Sequence, residues 1–236
     1  MLEIRNFTKC YGNFKAVDNL TLTVKDGEIY GFIGHNGAGK STTIKAVVGA
    51  MSFDGGEIFI DGKSVKSEPM ECKKIVAYVP DNPDIYDYLT GIQYLNFICD
   101  VYRIGKSERN DRIKKYADLF EMTASLGDLI SAYSHGMKQK LVIISALVHN
   151  PKLLVLDEPF VGLDPIASFK LKEIMRSVCD EGGAIFFSTH VLEVAEKLCD
   201  RVGIIKKGKL AFEGTVKEVA ASGNLESLFL EIEENE

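Results

Sequence analysis

Gly34-His35-Asn36-Gly37-Ala38-Gly39-Lys40-Ser41 fits the pattern G-x-x-x-x-G-K-[ST], and its reading decides the fold. The pattern has chemical meaning only where a strand runs into a helix across it. Upstream, Glu28-Ile29-Tyr30-Gly31-Phe32-Ile33 reads as a short buried strand; downstream, residues 41–48 read as a helix. Glycines let backbone N–H groups turn inward around phosphate oxygens, and a helix N-terminus adds partial positive charge. Lys40 is placed to reach the β- and γ-phosphates of a nucleotide, and the Ser41 hydroxyl to ligate Mg²⁺.

Outward from the loop the pattern is that of an α/β protein. Residues 1–33 are expected to form antiparallel strands leading into the site: Leu20, Leu22 and Val24 alternate with Thr21, Thr23 and Lys25, and Asp26-Gly27 is a hairpin signal. Tyr11 falls in the loop between the first two strands, where it either stacks on an adenine ring or is a loop tyrosine without a ligand. Glu57 to Ile60 and Ile75 to Val79 read as strands. Beyond Pro80 the character changes. One helix is predicted from Thr90, with Gln93 completing a capping box, and a second with Ser107 as N-cap, burying Ile113, Tyr116, Ala117 and Phe120. Tyr86, Tyr88, Tyr94, Phe97 and Tyr102 in this block are core residues or, near the loop, a docking surface for another protein.

From Lys152 the α/β pattern returns. Leu153 to Leu156 is an apolar run suited to a central parallel strand, Asp164-Pro165 opens a helix, and Ala184 to Ser188 is a further buried strand. A helix follows with Val191, Leu192, Val194, Ala195 and Leu198 on its apolar side. A hairpin turns at Lys207-Gly208-Lys209, and Thr215 with Glu218 caps a last helix. Glu231 to Glu236 is too acidic to pack and is expected to fray. The predicted architecture is an α/β P-loop NTPase core with a mostly parallel sheet, an N-terminal antiparallel β subdomain and an inserted α-helical subdomain. It is read as one domain over 1–236, with 1–81 and 151–220 forming the core and β subdomain, 82–150 the helical subdomain, and 221–236 a C-terminal tail.

Composition removes several function classes. The chain has 236 residues, 46% hydrophobic and 26% charged, with a net charge of −6, so it gains nothing from counterion release at nucleic-acid phosphates. No apolar stretch approaches the ~20 residues of a membrane helix, and the N-terminus lacks a secretory h-region. Five cysteines (Cys10, Cys72, Cys99, Cys179, Cys199) without a C-x-x-C favour free thiols in a reducing cytosol, and four scattered histidines form no metal cluster.

Asp157-Glu158 closes the apolar strand. A carboxylate at the end of a buried strand, opposite a phosphate loop, is placed to hold Mg²⁺, and Glu158 to polarise the water that attacks the γ-phosphate. Four further stretches carry a resemblance to the ATP-binding subunits of ABC transporters that spans nearly the whole chain. Tyr133-Ser134-His135-Gly136-Met137-Lys138-Gln139-Lys140 is similar to the L-S-G-G-Q signature and its basic tail. Gly162-Leu163-Asp164 resembles the D-loop, His190 after Ser188-Thr189 the switch histidine, and Tyr11 the aromatic that stacks on adenine.

The resemblance implies a two-lobed ATPase that works as a pair, homodimer or heterodimer, beside membrane-spanning permease subunits on the inner face of the cell membrane, with no span of its own. ATP and Mg²⁺ are its implied cofactors. Tyr11, Val17 and the loop residues Gly34, His35, Asn36, Gly37, Ala38, Gly39, Lys40, Ser41 and Thr42 are the implied nucleotide contacts. Ser134, Gly136, Met137 and Asp164 cover the nucleotide from the second copy. Lys40, Glu158 and His190 carry catalysis, and Ser41, Asp157 and Asp81 attend the metal.

Two departures stand out. Asp81 replaces the family's usual glutamine; it can still reach Mg²⁺ through water but cannot donate a hydrogen bond. Its expected role is to sense the metal and relay its presence to the helical block, which Asp81→Ala would test through turnover and coupling. In the signature, His135 and Met137 replace a glycine and a glutamine, a form that resembles the bacterial exporter-like branch. A soluble ABC-type ATPase of ribosomes or DNA would show tandem domains, a basic linker or long heptad arms; only about ninety residues separate loop and signature. A kinase or GTPase of the P-loop class would leave the signature and histidine stretches unexplained, and no N-K-x-D motif is present.

Overall fold

The computed structural model describes residues 1–234. The chain opens with β1 (Leu2–Tyr11) and β2 (Phe14–Val24), an antiparallel pair in register from Leu2↔Val24 to Tyr11↔Phe14. It then enters β3 (Ile29–Ile33), crosses the phosphate loop and continues as α1 (Lys40–Val47). Next come β4 (Gly55–Ile60), β5 (Lys63–Ser64), α2 (Pro69–Ile75) and β6 (Val76–Val79). A helical run follows: α3 (Gly91–Val101), α4 (Lys106–Leu119) and α5 (His135–Leu147). The remainder alternates through β7 (Leu153–Asp157), α6 (Pro165–Asp180), β8 (Ala184–Thr189), α7 (Leu192–Leu198), β9 (Arg201–Lys206), β10 (Lys209–Thr215), α8 (Val216–Ser222) and α9 (Leu225–Glu234).

Two sheets result. The antiparallel one runs β2-β1-β4-β5; the other runs β10-β9-β3-β8-β7-β6 and is parallel except for the edge strand β10. The central strands β3, β7 and β8 of the second sheet are buried on both faces, and the two-residue strand period sorts their side chains into two cores. Ile29, Ile33, Leu154, Leu156, Ile185 and Phe187 face the core built with α3 to α7. Tyr30, Phe32, Leu153, Val155 and Phe186 face α1 and the antiparallel sheet. The C-terminal ends of β3, β7 and β8 thereby converge where α1 begins.

Several local expectations hold in detail. The capping box at Thr90 and Gln93 is formed, as is the one at Thr215 and Glu218, and the hairpin at Lys207-Gly208 joins β9 to β10. Others are corrected. Asp26-Gly27 is no hairpin: β3 takes parallel β8 and β9 as neighbours, so the chain leaves one sheet for the other there, with Gly27 N–H bonded to Gly183 O at 2.7 Å. Ile75 ends α2, a helix announced by Pro69 in its first turn. Helix α4 starts with Gly105 as N-cap, which puts Ser107 inside its first turn. Val191 is exposed at the entry to α7. Residues through Glu234 are helical, because Leu225 and Phe229 bury an apolar side and Lys206 Nζ donates to the Ile232 and Glu233 carbonyls at 2.7 and 3.0 Å; the rest of the stretch predicted to fray, 235–236, lies outside the described residues. Of the five aromatics, Tyr94 is buried and Tyr102 half-buried, whereas Tyr86, Tyr88 and Phe97 are exposed at 47, 74 and 44%.

Candidate nucleotide-binding and hydrolytic site

The phosphate loop is held from below. Gly39 has φ +112, and a Cβ there would fall 2.8 Å from Ala16 O and 3.1 Å from Val17 Cγ2, so only glycine fits. Gly34 and Ala38 are buried members of the loop, and Val17, also buried, packs under Gly39. Lys40 is only 6% exposed. Its Nζ donates to Gly34 O at 2.6 Å and His35 O at 3.2 Å, and stands 3.7 Å from Glu158 Oε1. The cleft above encloses about 310 Å³ and is walled by His35, Asn36, Gly37, Gly39, Lys40, Ser41 and Thr42 on the loop side. Tyr11, Phe14 and Ala16 form the opposite rim, and Asp81 and Glu158 its inner end. Tyr11 carries Lys9 Nζ 5.3 Å from its ring centre, and its hydroxyl bonds Met51 Sδ at 2.9 Å. Phe14, 65% exposed, is a second aromatic at the mouth that sequence reasoning passed over.

At the inner end the carboxylates are sorted by one serine. Asp157 is fully buried, and its Oδ1 accepts from Ser188 Oγ at 2.5 Å. The same Ser188 oxygen accepts from the Glu158 N–H at 3.0 Å. Glu158 has φ +49, an unusual conformation for a non-glycine residue, and this bond helps to hold it. Ser188 is the site residue that the sequence left unnamed; the signal was its register opposite Asp157. Burial raises the Asp157 carboxyl above its ordinary value, Ser188 and Ser41 hydroxyls draw it back, and Asp81 and Glu158 push it up again. Its Oδ2 is buried without a hydrogen-bond partner among the described residues. An unpaired buried carboxylate oxygen beside a serine hydroxyl suits Mg²⁺, which is commonly held by one or two carboxylates, water and substrate phosphates; no cluster of three His, Cys, Asp or Glu exists among the described residues. Glu158 Oε2 lies 3.0 Å from His190 Nδ1, hydrogen-bond distance when that nitrogen carries the proton.

The remaining predicted residues gather elsewhere. Ser134 is the N-cap of α5, accepting from Met137 N–H at 3.2 Å. A Cβ on Gly136 would lie 2.8 Å from Gly162 O, so the signature and D-loop backbones touch. The imidazole of His135 packs on Gly162 as well, where a Cβ would sit 2.6 Å from its Cδ2. The larger residue in the signature is thus matched by the absence of a side chain opposite. Asp164 accepts from Ala167 N–H at 2.8 Å and pairs with Lys140 at 2.7 Å, which holds its carboxyl below the usual range. Ser134, Gly136, Met137 and Asp164 do not line the cleft.

A phosphate loop, a strand-end carboxylate pair and a histidine on that pair define a nucleotide hydrolase of the P-loop class. Comparison with known proteins narrows the class. Residues 17–161 match the family model described as ABC transporter. The chain is 34% identical over 235 residues to the uncharacterized ABC transporter ATP-binding protein YhcH of Bacillus subtilis (strain 168), covering 99% of this chain and 76% of that one. It is 34% identical over 221 residues to the linearmycin resistance ATP-binding protein LnrL of the same organism, covering 94% and 71%. A solved ATP-binding subunit of an ABC transporter superposes with TM-score 0.94 at 33% identity, covering 98% of this chain and 99% of that one. The chain belongs to the ABC transporter family as an ATP-binding, ATP-hydrolysing subunit. Among the described residues no helix is long and apolar enough to cross a membrane.

Proposed function

We propose that two ATP-binding subunits close face to face on ATP, and that hydrolysis reopens them and drives cargo outward through separate membrane-spanning subunits. One observation carries the reading: the groups suited to grip a triphosphate line one cleft, while Ser134, His135, Gly136 and Met137 lie outside it, exposed or half-exposed, with Ser134 capping α5. Each cleft would be completed by Ser134 and the Gly136 backbone of the facing copy, with Asp164 at the junction. Lys40 would neutralise the β- and γ-phosphates, and Tyr11 would stack on the base. Ser41, with Asp157 and Asp81 through water, would hold Mg²⁺, which neutralises charge and orients the phosphates. Glu158 would take a proton from water as its oxygen bonds to the γ-phosphorus; the bond to the β–γ bridging oxygen breaks, giving ADP and phosphate. His190 would keep Glu158 aimed.

Outward transport is supported by the altered signature and by likeness to a relative named for linearmycin resistance. The exposed aromatics Tyr86, Tyr88 and Phe97 offer the permease an apolar footing on the helical block, which would place the chain peripherally on the cytoplasmic face. ATP binding that favours the closed pair is population shift by differential affinity. Glu158→Gln is expected to bind ATP at the parent affinity, lose turnover by about 100-fold or more, and elute as a dimer with ATP. Parent-rate hydrolysis by this variant would refute the assigned base.

A further inference from the structure

Tyr78 lies outside the phosphate loop, the signature and the strand-end carboxylate pair, yet its hydroxyl is an isolated polar atom near the site. It is buried and has no hydrogen-bond partner among the described residues. Strand register gives its direction. Tyr78 pairs with Val155 across the parallel β6–β7 ladder, and Asp157 lies two residues further along β7, on the same face. Strand spacing and rise put that diagonal at about 8 Å between backbones, a gap that a tyrosine leaning along its strand can span. Both face α1, whose N-terminal turn carries Ser41. The electrostatics agree: burial first, then the charges of Asp157 and Asp81, push the Tyr78 phenol well above its ordinary value. Two unpaired buried oxygens, Tyr78 Oη and Asp157 Oδ2, thus occupy one corner without bonding each other.

A buried hydroxyl without a partner costs free energy, and a donor held near an unpaired acceptor suits a bridging water. We propose that Tyr78 is a positioning residue of the Mg²⁺ site: its oxygen would accept from a metal-bound water whose other hydrogen reaches Asp157 Oδ2, so that one water bridges the two. The role is independent of cargo, and it rests on the nucleotide-site reading given above. Outer contacts of this kind typically change metal affinity by 10- to 100-fold. Tyr78 would therefore trade stability of the nucleotide-free chain for metal affinity.

The test is a Mg²⁺ titration of fluorescent-ATP binding to the full chain, parent and Tyr78→Phe, with EDTA as the metal-free arm and Tyr94→Phe as a buried-tyrosine control. The expected result for Tyr78→Phe is a Mg²⁺ midpoint raised roughly tenfold, unchanged affinity in EDTA, and a nucleotide-free Tm raised by about 2–4 °C. Tyr94→Phe should leave the midpoint in place. A Tyr78→Phe midpoint within about twofold of the parent, or an equal shift in Tyr94→Phe, overturns the proposal. If the parent itself shows no Mg²⁺-dependent binding, the nucleotide-site reading fails first, and this inference with it.

Discussion

The phosphate-loop half and the signature half of this chain present their functional side chains in opposite ways. In the first, charged and polar groups are buried: Lys40 is 6% exposed, Asp157 not at all, and Asp157 Oδ2 and Glu158 Oε1 have no hydrogen-bond partner among the described residues. In the second, Ser134 and His135 are exposed, and the groups presented at the surface are satisfied within the chain: Ser134 caps α5, Asp164 caps α6, and Lys140 pairs with Asp164, while behind them the buried Gln139 amide has no hydrogen-bond partner among the described residues. A buried unpaired group costs stability, so the first half carries strain that a ligand can relieve. The second is a finished surface, which can serve a ligand only by being brought to it. On the proposed function, one half is prepared for ATP and metal, the other for a partner.

The largest effect expected from this contrast comes from breaking each half separately. Lys40→Ala should abolish ATP turnover, by about 100-fold or more, because the loop loses its cation where negative charge is densest. Ser134→Arg should be as inactive while binding ATP at near-parent affinity, since its own loop is intact. Mixed together, the two variants should regain roughly a quarter of the parent rate, as half of random pairs carry one intact site of two. ATPase assays on the mixture decide the matter. No recovery from well-folded chains would argue against a site shared between copies of this sequence.

A smaller effect tests whether the loop half really holds stored cost. Asp157→Asn keeps the shape and an oxygen for Ser188 but removes the buried charge. The Asp157 pKa is raised on folding, so the native state favours the protonated form and the ionised carboxylate costs stability at neutral pH. That cost is full above the folded pKa and vanishes as pH falls below the unfolded value. Asp157→Asn should therefore raise the nucleotide-free Tm at pH 7, by about 2–4 °C for each kcal/mol recovered. The gain should shrink on acidification, and Mg²⁺-dependent nucleotide binding should weaken. An unchanged or lowered Tm at pH 7 would remove the idea of stored cost in this half.

What was readable in the sequence follows the range of the interactions. Local rules placed the phosphate loop, the capping boxes at Thr90 and Thr215, the hairpin at Gly208 and the apolar strand at Leu153, because each depends on a few neighbouring residues. Pairing between distant strands was not readable: Asp26-Gly27 has turn chemistry, but only β8 and β9 beside β3 reveal that the chain changes sheets there. The site divides in the same way. Lys40, Ser41, Asp157, Glu158 and His190 were named from motif positions, and the geometry gathers them. Ser188 and Tyr78 act through register across β6, β7 and β8, and His135 is explained only by Gly162 opposite it. The packing of Val17 under Gly39 is likewise a contact that linear order does not carry.

The smallest effect concerns the exposed edge of the loop, where α9 reaches it. The His35 ring meets Phe229 edge-on at 4.9 Å between centres, and its Nε2 lies 3.8 Å from Glu233 Oε2. An aromatic pair adds about 0.5–1.5 kcal/mol beyond area burial, but His35 is at the rim, while Gly39 is fixed from beneath by Ala16 and Val17. Support from below should dominate. Phe229→Ala is therefore expected to loosen α9, seen as faster amide exchange over 225–234, while ATP affinity moves by no more than about threefold, less than 1 kcal/mol. A tenfold loss of affinity would show that the rim contact matters as much as the buried one. The loop half would then have to be described as built jointly by the core and the C-terminal helix.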